Sequence, residues 1–110
     1  MMRLRIYDTA LEMVAEVVRV ARVVARHDAD LARQMRRACT SVPLNIAEAV
    51  HSAGGNQKVR YHSAMASARE TMAAIEVSVA AEYLSAETTP GVLQKLDQIV
   101  ATLWRLIHRR

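Results

Sequence analysis

Glu48-Ala49-Val50-His51 is the stretch whose residue types and spacing come nearest to chemistry. A carboxylate and an imidazole three residues apart share one side of a helix. That spacing supplies metal ligands in di-iron helical bundles, which need two such pairs and two further carboxylates. The chain contains no second Glu-x-x-His, so no dinuclear site is expected within one chain. Glu48 reads as a structural carboxylate and His51 as a helix-end residue. Nucleophiles fare no better. Cys39 is the single cysteine and lies on the apolar side of a helical pattern, where a free thiol behaves as a small hydrophobe. Ser41 has no histidine near it in sequence, and His27, His51, His62 and His108 fall near helix ends or on a polar flank. Gly54-Gly55 is a turn and not a phosphate loop. No nucleophile–base or acid–base set assembles, so neither enzymatic activity nor a cofactor is expected.

Around the glutamate runs a ladder of polar residues, Arg37, Ser41, Asn45 and Glu48, spaced three or four apart. It borders the apolar line Met35, Ala38, Val42, Ile46 and Ala49. Pro43 interrupts the same helical pattern, removing one backbone donor and pressing on the carbonyl of Cys39, so a kink is expected there. The ladder has two readings. One is a ligand or partner site. The other, which polar groups beside a core favour, is a satisfied network that fixes helix register and repairs the bond lost at Pro43.

These residues must be held by helices. Few glycines and prolines, no phenylalanine and much Ala, Val, Arg and Met indicate an all-helical chain with short loops. The first helix is expected over Tyr7 to Arg26, with Ile6, Ala10, Met13, Val17, Val20 and Val24 inward and a Glu16–Arg19 pair outside. The second begins at an Asp28 or Asp30 cap and runs to His51. The third spans Gln57 to Leu84 behind an Asn56 cap, and the fourth starts at Thr89-Pro90 with Val92, Leu96, Ile99, Leu103 and Leu106 in register. Short connections make the expected architecture one domain over residues 1–110, an up-down-up-down antiparallel four-helix bundle.

Helix three is apolar on two sides. Tyr61, Met65, Ala68, Met72, Ile75, Val79 and Tyr83 form one line; Val59, Ala66, Ala73, Val77, Ala80 and Leu84 form the other. A small bundle has one interior, so the second line is expected to be an oligomer interface. Glu70 lies within it and needs a partner if buried, for which Arg37 of the same or a neighbouring chain is the candidate.

A net charge of +4 and a pI near 9.8 permit an anionic partner. Arg19, Arg22 and Arg26 on helix one, with Arg33 and Arg36 on helix two, form the candidate nucleic-acid surface. Low aromatic content argues against base stacking and for salt-sensitive phosphate contacts. No apolar run is long enough to cross a membrane, no signal peptide is visible, and one cysteine gives no disulfide, so a cytoplasmic setting is expected.

Ser41-Val42-Pro43-Leu44-Asn45-Ile46-Ala47-Glu48 resembles the S-[IV]-P-x-N-I-A-E-G segment of the bacterial four-helix bundle proteins encoded in intervening sequences of 23S rRNA genes. Leu31, Gln34, Arg36, Arg37 and Ala38 extend the similarity upstream, and Ala64, Ser67, Ala68, Arg69, Glu70, Glu76, Tyr83 and Leu84 extend it downstream. Ala49, Ala66 and Glu82 stand where that family usually has glycine. The resemblance implies an antiparallel bundle assembled as a homopentamer, with no established biochemical activity. Relatives that accompany diversity-generating reverse transcriptases bind nucleic acid, which implies RNA or DNA, or a reverse transcriptase or other protein, as partner. Two functions follow: a non-enzymatic homo-oligomeric adaptor for nucleic acid, or an assembly scaffold for a protein partner with no nucleic-acid role.

Overall fold

The computed structural model describes residues 4–109. Four helices follow in order: α1, Arg5–Val24; α2, Ala29–Val50; α3, Gly54–Ala80; and α4, Pro90–Ile107, with a single 3₁₀ turn at Ala86–Thr88 before the last. Helices adjacent in sequence pack together, and α1 also packs against α4. The four enclose one apolar core within an envelope of 43 × 22 × 21 Å. Met13, Val17, Met35, Val42, Ile46, Ile75, Leu96, Ile99 and Leu103 are wholly buried there. Ala21 and Ile107 are buried where Val20 and Leu106 were expected, and those two residues are half-buried beside them. No helix among the described residues is long and apolar enough to cross a membrane.

The helix boundaries have local causes. Asp28 caps α2 by accepting the Leu31 N–H at 2.9 Å, while Asp30 instead pairs with Arg33 one turn on. Pro43 lies inside α2 and is buried, and the helix continues to Val50. The turn into α3 is tighter than the sequence suggests. Gly54 takes a positive φ of 57°, which glycine adopts without penalty, so α3 begins at Gly54 and Asn56 falls in its first turn and not at its cap. Ala53 occupies the cap position and makes no side-chain bond. Gln57 reaches back to donate to the carbonyls of Ala49 (3.0 Å) and Ser52 (3.4 Å), the first of which also accepts the Ser52 N–H.

α3 stops at Ala80, short of the expected Leu84, because the chain closes a Schellman motif. The Tyr83 N–H bonds Ser78 O at 2.9 Å and the Glu82 N–H bonds Val79 O at 3.0 Å. Glu82 is left-handed there, at φ 64°. The following turn is tied to the α1–α2 turn by Tyr83, whose ring stacks on His27 with centroids 5.2 Å apart and planes 5° from parallel.

Buried hydroxyls are satisfied within their own segments. Thr71 donates to Ser67 O, Ser78 to Ala74 O and Thr89 to Ala86 O, at 2.8–2.9 Å. Thr89 therefore turns away from α4 and Pro90 alone opens that helix. Glu16 pairs with Lys95 across α1 and α4, in place of the expected Arg19. The hydrogen bond to Glu16 holds the Lys95 ammonium above its ordinary pKa.

Candidate functional site

The polar ladder of α2 divides into an inner and an outer part. Asn45 Nδ2 donates to Ser41 O at 2.9 Å and to Ser41 Oγ at 3.0 Å, and Ser67 Oγ of α3 donates to Ser41 Oγ at 2.8 Å. This half-buried seam joins α2 to α3. Ser67 completes it, a role that the ladder on α2 alone did not reveal; its spacing of four from the buried Thr71 is the signal that marks it as lining the α2 contact. The Asn45 amide is directed to Ser41, so the seam does not serve the Cys39 carbonyl beneath Pro43, and the expected repair of that bond is not made by this ladder.

Arg37, Glu48 and Glu70 lie outside the seam and are exposed. Arg37 and Glu70 stand on the α2 and α3 walls of a surface cleft of about 310 Å³, with Gln34, Ala38, Ser41 and Ser67 between them. They form no ion pair with each other, so within one chain neither is the buried charge that the sequence suggested. Glu48 and His51 are both exposed, and among the described residues no three His, Cys, Asp or Glu side chains gather into a metal site. Cys39 is buried, and burial pushes its thiol pKa up to about 11. At neutral pH it is a thiol, not the thiolate nucleophile.

The arginines of the α1–α2 hairpin are placed differently. Arg19, Arg22 and Arg26 recur at spacings of three and four along the outer side of α1, and Arg33 and Arg36 are one turn apart on α2; all five are exposed. Arg33 meets Asp30, and the other four have no carboxylate partner among the described residues. On α3 the second apolar line faces outward as far as Ala80, whereas Leu84, expected to continue it, lies past the helix end and is buried in the core. Val59 is 60% and Val77 53% exposed, Ala66, Ala73 and Ala80 are exposed with them, and Leu44 of neighbouring α2 is 66% exposed.

The family model of the 23S rRNA-intervening sequence protein matches residues 2–105. The chain belongs to this family. A solved relative in shape is a protein of unknown function from the S23 ribosomal protein family of Bacteroides thetaiotaomicron VPI-5482, with a TM-score of 0.86 and 22% identity over 94% of this chain and 98% of that one. At that identity the likeness shows the four-helix fold alone. No curated protein matches the chain.

Glu82, which stands where the resemblance puts glycine, is the left-handed residue of the Schellman motif. A side chain in that conformation costs roughly 1–2 kcal/mol, part of which glycine returns through its freer unfolded state. Glu82→Gly should stabilise the fold by about 1 kcal/mol and raise Tm by about 4 °C. A thermal melt with an unchanged or lower midpoint would show that contacts of Glu82 outweigh its backbone strain.

Proposed function

We propose that this protein is a non-enzymatic homo-oligomer, a ring of five copies as its family resemblance implies, that binds RNA or DNA in the bacterial cytoplasm through the arginines of the α1–α2 hairpin. One observation carries the reading. Residues 19–37 hold six arginines against Asp28 and Asp30 and so carry +4, the net charge of the whole chain, while nine basic and nine acidic residues elsewhere cancel. An exposed cationic surface of this kind binds phosphates without reading sequence. Assembly through the outer side of α3 multiplies a weak patch into a strong one by avidity.

Binding of a generic duplex and of a structured RNA, measured by fluorescence anisotropy at two salt concentrations, tests it. The five guanidinium groups of Arg19, Arg22, Arg26, Arg33 and Arg36, each neutralising one phosphate, give a slope of log affinity against log salt of about −4.5 per chain engaged on a duplex. Absence of binding at low salt removes the reading. The exposed apolar residues Leu44, Val59 and Val77 favour one other reading, an assembly scaffold for a protein partner such as a reverse transcriptase. A stoichiometric protein partner retained after nuclease treatment, without nucleic-acid binding, supports that alternative.

A further inference from the structure

The chain has one tryptophan, and it is not in the core. Trp104, in the last turns of α4, is 51% exposed. One face of its indole is stacked on His108, with ring centroids 4.0 Å apart and planes 24° from parallel. His108 is itself fixed. Its Nδ1 lies 2.8 Å from Trp104 O and, because a carbonyl only accepts, bonds there as an N–H donor; the backbone N–H of His108 bonds the same oxygen at 3.1 Å. The indole is thus held by its own helix end, while about half of the residue remains open to solvent.

Beside this aromatic row runs a cationic one. Arg105 lies about 100° round the helix from Trp104, Arg109 follows His108 beyond the end of α4, and both arginines are exposed. Arg105 donates to Thr102 Oγ1 at 3.2 Å, and among the described residues neither arginine meets a carboxylate. Arg109 faces Lys58 and the first residues of α3 across a shallow cleft. The other large exposed apolar residues, Leu11, Leu44, Val59 and Val77, belong to the other three helices, so Trp104 is the one large exposed apolar side chain of α4 among the described residues. An isolated aromatic face among cations suits a base between phosphates better than it suits acyl chains or a protein core.

We infer that Trp104 and His108, flanked by Arg105 and Arg109, form a stacking platform for unpaired bases of a single-stranded nucleic acid. The platform adjoins the α2–α3 turn, whereas the arginine hairpin adjoins the α1–α2 turn; the 22 residues of α2 separate those turns by about 33 Å. It deepens the nucleic-acid reading by naming the strand form, yet does not depend on the hairpin arginines. Low aromatic content had argued against stacking; what matters is that the one indole is presented outward.

Because Trp104 is the only indole, its fluorescence reports this site alone. The free protein should emit as a water-exposed indole, and a short oligothymidylate at low salt should quench it saturably. A blunt duplex with the same number of phosphates should bind without quenching. Trp104→Leu should weaken oligothymidylate binding about tenfold by anisotropy, the lower part of the range for one stacked base. Trp104→Tyr should keep most of the affinity, and both variants should bind duplex within twofold of the parent. A variant with Arg19, Arg22 and Arg26 changed to Gln should still be quenched. If duplex binding fails while oligothymidylate quenches, the hairpin reading falls and the platform stands. Unchanged emission under saturating oligothymidylate, a blue-shifted indole in the free protein, equal losses for single strand and duplex, or a response only to phosphatidylserine vesicles each overturn it.

Discussion

Changing Arg19, Arg22 and Arg26 together to glutamine should weaken duplex binding on the order of a hundredfold at low salt and make the salt slope shallower by about 3. The three guanidinium groups are exposed on successive turns of α1 and engage no carboxylate among the described residues. Removing them therefore breaks no internal bond, and substitutions of exposed residues of this kind shift stability by no more than about 0.5 kcal/mol. The melting temperature should hold while affinity falls. Anisotropy across a salt series, with a melt of the same sample, separates the two. An affinity that holds within threefold would move the binding surface elsewhere or remove it.

Ala73→Arg should dissociate the assembly. Ala73 lies in the middle of the outward line of α3, between Ala66 and Ala80, and its side chain is exposed in the single chain. The folded chain tolerates arginine there, since nothing of the bundle covers the position. A neighbouring copy packed on that line would instead bury an unpaired guanidinium, at a cost of several kcal/mol and so of a thousandfold or more in association. Loss of assembly should also reduce the apparent affinity for long nucleic acid, through avidity alone. Light scattering that finds the variant as large as the parent would show that the line is not the interface.

Much of the fold was legible from periodicity. The inward positions of α1, α2 and α4 repeat at three and four, and Met13, Val17, Met35, Val42, Leu96 and Ile99 are buried as that spacing demands. The two-sided pattern of α3 was legible too. One side, Tyr61, Met65, Ala68 and Ile75, is buried, and the other stays outside the bundle except at Leu84, which lies past the end of α3 and is buried. Helix ends were less so, because they turn on backbone conformation: the positive φ of Gly54 starts α3 early, and Glu82, also at positive φ, stops it early. The seam was half legible. Ser41 and Asn45 share one ladder, but their partner Ser67 lies 26 residues from Ser41 on the next helix, and no spacing within α2 points to it. Arg37 and Glu70 were paired on the assumption that Glu70 is covered, a property of packing that residue type cannot supply. The outward Trp104 was invisible for the same reason, since a tryptophan beside a heptad line reads as core until its neighbours are placed.

The outer line of α3 supports both the ring and the multivalent binding, and the mass of the protein in solution tests it most directly. Light scattering at micromolar concentration should return a multiple of the 12.2 kDa chain, five copies if the ring is as proposed, and Ala73→Arg should return one. A parent protein that runs as a 12.2 kDa monomer contradicts the account.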